Sequence, residues 1–213
     1  MVDIFDEVDE DVRRERMQTM AKRYGPLVGG SVVLVIAVVA GLTFWRQHQR
    51  EAAEEAGAAY LAAARTLPAD RTAAEDAFAD LAAEGPAGYP LLARLKQAEA
   101  LAADGKRDAA IEVLNGVESL DAPDRYKALA RLLALGLRSY AEDPATLLPL
   151  VEEMAAPGKP WRALASEHAA ALEWKLGKVA EARARWEALA ADLAAPQGVR
   201  SRAEAALAAL PRS

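Results

Sequence analysis

Residues 105–114 read GKRDAAIEVL and residues 177–186 read GKVAEARARW. Each stretch opens on a glycine, places an alanine five positions later (Ala110, Ala182) and a bulky residue four after that (Leu114, Trp186). The two stretches lie seventy-two residues apart, which divides into two units of thirty-six. One unit back from the first, the alanine slot holds Ala74 and the bulky slot Phe78. One unit forward, Ala141 and Thr146 form a degenerate copy. A glycine closing one helix, a tight turn, and a second helix whose alanine admits a close neighbour account for this pattern.

Working outward, Pro68, Gly85-Pro86, Gly105, Ala122-Pro123, Asp143-Pro144, Pro157-Gly158-Lys159-Pro160, Gly177 and Pro196 cut residues 47–213 into segments of ordinary helix length. They predict nine helices and no strand: Gln47 to Leu67, Arg71 to Ala83, Tyr89 to Ala103, Arg107 to Ser119, Arg125 to Tyr140, Ala145 to Ala155, Trp161 to Leu176, Val179 to Leu193 and Val199 to Leu210. About a quarter of the chain is alanine, the strongest helix former. The pattern resembles the tetratricopeptide repeat, with units beginning near Glu55, Leu91, Lys127 and Ala163 and a closing helix. Small residues recur at the close-packing slot of the first helix of a unit (Ala62, Ala98, Ala170). Such pairs cannot bury their apolar sides alone and stack into a superhelix with a concave face. An irregular helical bundle is the alternative.

The amino-terminal part is of another kind. No charged residue occurs from Tyr24 to Trp45, and residues 31–42 read SVVLVIAVVAGL. Leu27 to Trp45 is nineteen residues, close to the ~20 that a helix needs to cross a bilayer core of roughly 30 Å. We therefore expect a transmembrane anchor over residues 24–46, with Leu27, Val35, Ile36, Phe44 and Trp45 facing lipid and Gly25-Pro26 breaking the helix at its entrance. Arg13, Arg14, Arg16, Lys22 and Arg23 precede the run and only Arg46 and Arg50 follow closely, so the positive-inside rule keeps the amino end cytoplasmic. A cleaved signal peptide is the alternative, but Phe44-Trp45-Arg46 stands where small residues would be needed. The arm, residues 1–23, carries seven acids early and five bases late, with a stripe of Ile4, Val8 and Val12 with Phe5. It reads as a partner-docking or membrane-surface helix, or as a solvated one that supplies only topology. Residues 47–213 form the expected periplasmic domain.

The composition excludes much chemistry. There is no cysteine and there are two histidines, so thiolate metal sites, disulfides and cysteine nucleophiles are out. The net charge of -6 argues against nucleic acid as a partner. His168 precedes Glu173 without the HExxH spacing, and between Leu164 and Leu172 it reads as a partly buried packing residue. His48 reads as interfacial, Glu152-Glu153 as a solvated face, and Trp161, Trp174 and Trp186 as core or groove residues. No phosphate-binding glycine loop or nucleophile elbow occurs. We expect no enzyme, no metal and no cofactor.

The whole arrangement resembles the YfgM-like ancillary subunits of the SecYEG translocon, which carry one amino-terminal anchor and a periplasmic tetratricopeptide-like domain. Three stretches carry the likeness: Asp3 to Glu10 running to Lys22-Arg23-Tyr24-Gly25; residues 41–49, GLTFWRQHQ, leading into Ala58-Ala59-Tyr60; and residues 88–98, GYPLLARLKQA, with residues 177–187, GKVAEARARWE. The acidic-to-basic arm is similar to that of the alphaproteobacterial members. The resemblance implies an inner-membrane protein that meets the Sec translocon, a periplasmic prolyl-isomerase-like chaperone and exported polypeptides. An envelope-assembly or cell-division scaffold built on the same repeat is the alternative, and an envelope hydrolase a third. The repeat register itself points Leu92, Leu95, Glu99, Arg131, Leu135, Arg138 and Trp174 into the concave face as a partner-binding groove.

Overall fold

The computed structural model describes the backbone of residues 4–210, with side chains for Met17, Tyr24, Gly30, Ser31 and residues 34–210. Every regular element among the described residues is helical: α1 (Ile4–Thr66), α2 (Arg71–Glu84), α3 (Tyr89–Ala103), α4 (Arg107–Asn115), a 3₁₀ turn (Gly116–Ser119), α5 (Asp124–Arg138), α6 (Pro144–Ala155), α7 (Arg162–Lys175), α8 (Val179–Ala191) and α9 (Gln197–Ala209). The chain divides into two compact units, Met1–Glu54 and Glu55–Ser213.

The first unit is helical throughout its described length. The helix runs on through Gly25-Pro26, where a break was expected. Proline removes one N–H from the ladder, and the bonds on either side continue it. Nor does a separate helix begin at Gln47, because α1 is continuous there. Among the described residues no helix is long and apolar enough to cross a membrane. The longest uninterrupted stretch of the apolar run with described side chains is residues 34–45, shorter than the ~20 residues a span requires. Leu27 lies outside the residues whose side chains are described. Val35, Ile36, Phe44 and Trp45 are exposed, together with Leu34, Val38, Val39 and Leu42.

In the second unit each helix packs on the next from α2 to α9, and α7 also meets α9. The hydrophobic core is accordingly a string of clusters rather than one ball. The first gathers Ala56 and Ala63 of α1 with Ala74, Phe78 and Leu81 of α2 and Ala93 of α3. Tyr60 meets Phe78 edge to face, with ring centroids 5.5 Å apart. The next clusters centre on Leu101, Leu114 and Val117, then on Leu147, Val151 and Leu172, then on Trp186, Leu189 and Val199.

The two glycine turns that revealed the period are the same structure twice. Gly105 and Gly177 have φ of 79° and 75°, a region that costs glycine nothing and other residues more. The amide of Lys106 donates to Leu101 O at 2.9 Å and that of Lys178 to Glu173 O at 2.9 Å. The preceding glycines donate to Ala102 O and Trp174 O at 3.1 and 3.0 Å, the paired bonds of a Schellman C-cap. Elsewhere Asp70 and Asp143 cap α2 and α6 by accepting from Ala73 N and Ala145 N, which satisfies amides that a helix start leaves unpaired.

Packing follows the alanine slots. Ala74, Ala110 and Ala182 are fully buried, each four residues before a buried Phe78, Leu114 or Trp186. In the first helix of each unit Ala98, Ala134 and Ala170 are buried at thirty-six-residue spacing. Ala62 is exposed, and Ala63 takes its place against Phe78. The degenerate unit is corrected likewise. Thr146 is exposed, whereas Leu147 and, four residues on, Val151 are fully buried. Five residues, 139–143, separate α5 from α6 where three, 104–106, separate α3 from α4, so the register of α6 slips. With leucine in the alanine slot, α6 packs chiefly on α7 and only lightly on α5. The expected helix Arg107 to Ser119 also divides, because its last residues tighten into the 3₁₀ turn.

This packing makes a direct test. Ala182→Leu forces a larger side chain into a closed slot and lowers unfolding free energy by about 1–3 kcal/mol. Thr146→Leu, at an exposed position, changes it by less than about 0.5 kcal/mol. Urea unfolding followed by circular dichroism distinguishes these outcomes, and a reversed order would restore the uncorrected register.

Candidate functional site: a groove on the first helices of the repeats

Helices α3, α5 and α7, the first of their units, each turn one side to the core and leave the other open. Those open sides line a cavity of about 900 Å³ together with Tyr60 of α1. Leu92, Leu129 and Leu164 form its first rung. One turn on stand Leu95 and Lys96 of α3, Leu132 and Leu133 of α5, and Glu167 and His168 of α7. After another turn the side chains shrink on two of the three helices, to Glu99, Gly136 and Ala171. Tyr140 ends the α5 wall, largely exposed.

The charged groups in this lining are paired within the protein. Lys96 Nζ donates to Glu99 at 2.7 Å, and this bond holds the lysine above its usual pKa. Arg202 of α9 donates twice to Glu167, at 2.6 and 2.7 Å. The half-buried His168 imidazole is pushed below the usual histidine range by burial, and the Lys175 charge acts in the same direction. It is therefore neutral at pH 7. Two cations lie on the Tyr140 ring at the groove's end, Arg107 at 4.7 Å and Lys175 at 5.8 Å from its centroid. Lys175 also donates to Ser139 O at 2.8 Å, thirty-six residues back.

Of the residues the repeat register pointed inward, Leu92, Leu95 and Glu99 line the groove. Arg131, Leu135, Arg138 and Trp174 do not. Leu135 is buried in the core against α6 and α7. Arg131 pairs with Glu118 at 3.1 Å, Arg138 with Glu142 at 2.7 Å, and Trp174 is exposed outside the lining. The cause is one residue of offset: the groove rungs are thirty-seven residues apart from α3 to α5 and thirty-five from α5 to α7. One residue turns a helix by ~100°, enough to swing the α5 residues at a strict thirty-six spacing out of the groove. From α3 to α7 the seventy-two-residue period holds and maps Leu92, Leu95, Lys96 and Glu99 onto Leu164, Glu167, His168 and Ala171. That period, applied across two units instead of one, was the available signal for the α7 wall.

Glu152 is exposed, as is Glu153, and it also receives an arginine. Arg185 of α8 holds the buried Glu173 of α7 through three contacts of 2.5–3.2 Å and reaches Glu152 of α6 at 3.2 Å. Trp186 is core, while Trp161 donates its indole N–H to Arg125 O at 2.5 Å. These contacts tie one unit to the next.

The model of the tetratricopeptide repeat-like domain family matches residues 20–211. The chain belongs to this family. Its model reaches across the whole apolar run as well as the helical repeats. No curated protein and no solved structure gave a match. Tetratricopeptide-like domains are generally non-catalytic, and among the described residues no group of three or more His, Asp and Glu side chains is placed to hold a metal ion.

The lowered His168 pKa has a signed consequence. The unfolded chain binds a proton near the ordinary value of about 6.5 and the folded chain only at lower pH, so folding stability from this group is complete above that value and is lost as pH falls below it. Urea unfolding at stepped pH therefore shows a slope below about pH 6.5 that His168→Phe reduces. An unchanged slope would mean that the imidazole titrates freely.

Proposed function

We propose that this chain is a non-catalytic protein-interaction module, in which the groove of α3, α5 and α7 receives a segment of a partner polypeptide. The observation that carries this reading is the alignment of leucines from three successive repeats along one open face whose charges are already paired among themselves. Unfilled apolar surface of this extent on a stable scaffold is a recognition surface.

In the finer form of the proposal the repeat domain works in the bacterial periplasm. Residues 24–46 hold it to the inner membrane as a single-pass anchor with lipid around the helix, and residues 1–23 stay in the cytoplasm. What supports this is the uncharged run itself, the exposure of the large apolar side chains from Leu34 to Trp45, and the excess of basic residues before it. The likeness to the YfgM-like subunits then supplies the partners: the Sec translocon, a periplasmic prolyl-isomerase-like chaperone and exported polypeptides. Held beside a translocation channel, an apolar groove would shield emerging segments before they fold.

Leu92 and Leu133 line the groove yet are partly exposed, so Leu92→Asp with Leu133→Asp leaves helicity intact while placing charge on the apolar face. In native membranes, chemical crosslinking of the unaltered chain captures Sec-channel and chaperone subunits, and the double variant loses most of that yield. Undiminished yield in the variant removes the groove from the mechanism. Capture of division or outer-membrane machinery in place of Sec subunits would instead favour the scaffold reading.

A further inference from the structure

We propose that Gly136 opens an anchor subsite in this groove for one bulky, uncharged apolar side chain of the partner segment, aromatic by preference. The proposal rests on the groove being the interaction surface and adds what its α5 wall selects at Gly136.

The starting observation is a glycine with no structural reason to be one. It stands inside α5, where glycine weakens a helix relative to alanine. Gly88, Gly105, Gly158 and Gly177 have positive φ, and Gly136 does not. Gly57, Gly85 and Gly116 lie so close to neighbours that a Cβ would crowd Tyr89 Oη, Leu81 O and Arg94 Nη1, while Gly30 and Gly41 stand open in α1, outside the groove lining. Gly198 stands exposed in the first turn of α9. A Cβ on Gly136 would meet only His168 Cε1, at an ordinary 3.7 Å. Alanine would therefore fit and would strengthen the helix. What glycine provides is open volume, and it provides it on the middle helix of a groove whose α7 wall carries only the small Ala171 at the corresponding level.

The surroundings define the occupant. Leu133 stands one turn before Gly136 on α5, Tyr140 follows in the turn that closes that helix, and His168 faces Gly136 from α7. Lys96 and Glu99 neutralise each other, as do Glu167 and Arg202, so an entering charge would lose its water without gaining a partner. Arg107 and Lys175 on the Tyr140 ring add a repulsion against lysine or arginine. An uncharged side chain complements this lining. A neutral imidazole and a phenol ring at the walls suit an aromatic one, through edge-to-face or offset contact.

The test uses the full chain in lipid nanodiscs and a fluorescein-labelled, net-neutral fifteen-residue peptide of Ser, Gln and Gly with two leucines and a central Phe. Versions with Ala or Lys at the central position complete the set, and binding is read by fluorescence anisotropy. The unaltered chain binds the Phe peptide at least about tenfold more tightly than either other version, the scale on which a closed apolar pocket discriminates. Gly136→Ala raises the thermal midpoint, reduces the Phe-to-Ala preference about fivefold or more, and leaves affinity for the Ala peptide unchanged. A preserved preference in Gly136→Ala overturns the subsite. So does a response to Gly136→Ala confined to a fluorescent fatty acid, which would make the occupant an acyl chain, or a change in oligomeric state, which would make it a second copy. If Leu133→Asp abolishes binding of all three peptides while Gly136→Ala keeps the preference, the groove stands and only the subsite falls. If the unaltered chain binds none of them, both readings fall.

Discussion

The second unit depends on how closely successive helices can approach. Where two helices cross, the side chain at the contact sets their separation, and here Ala63 clusters with Ala74, Ala98 with Ala110 and Ala170 with Ala182, while Ala134 of α5 joins the cluster of α3 and α4. Small contacts let α3–α4 and α7–α8 close tightly, and the large residues four positions on then fill the space beside them. Helices α3 and α7 present equivalent sides to their partners and leave equivalent sides uncovered, and α5, offset by one residue, adds Leu129, Leu133 and Gly136 to the same face. The groove is thus a consequence of the packing: three aligned faces that the scaffold itself leaves uncovered.

Polar contacts set which unit meets which. Arg185 gathers carboxylates from α6 and α7, and Lys106 of the α3–α4 turn reaches the buried Glu75 of α2 at 2.8 Å. Pairs of this kind contribute less to stability than their number implies, since the charges give up water to form them. Trp161 and Lys175 hold backbone carbonyls thirty-six residues away, so their geometry is satisfied in one register alone. The same economy operates in the groove, where pairing of Lys96 with Glu99 and of Glu167 with Arg202 leaves an apolar surface.

How much of this was legible in the sequence follows from what each feature depends on. Helix positions depend on local chemistry: glycine at a left-handed cap, proline and aspartate at helix starts. The expected segments from Arg71 onward accordingly coincide closely with α2 to α9. The repeat length was legible because Gly105 and Gly177 mark equivalent turns. The face of α5 was not. It is set by connections whose lengths differ, eight residues (116–123) before α5 against six (156–161) before α7, and by a 3₁₀ turn that no periodic pattern announces. Leu135 and Leu133 look alike in a sequence, yet one is core and the other lines the groove. Gly136 was legible only as a poor helix residue, and its role depends on the absence of neighbours, which is a property of the fold. His168 was placed correctly as a packing residue but not as part of the groove.

The two units would serve a single purpose under the proposed function, with one helix fixing the protein's place and an apolar groove meeting what passes there. The central claim is that partner contact occurs on the concave face of α3, α5 and α7. A photoreactive phenylalanine at position 133, compared with the same residue at the exposed Glu153 of α6, tests it in living cells without perturbing the charge of the groove. Light-dependent adducts with other proteins from position 133 and not from 153 are the result predicted. Equal adducts from both positions, or adducts from 153 alone, would contradict it.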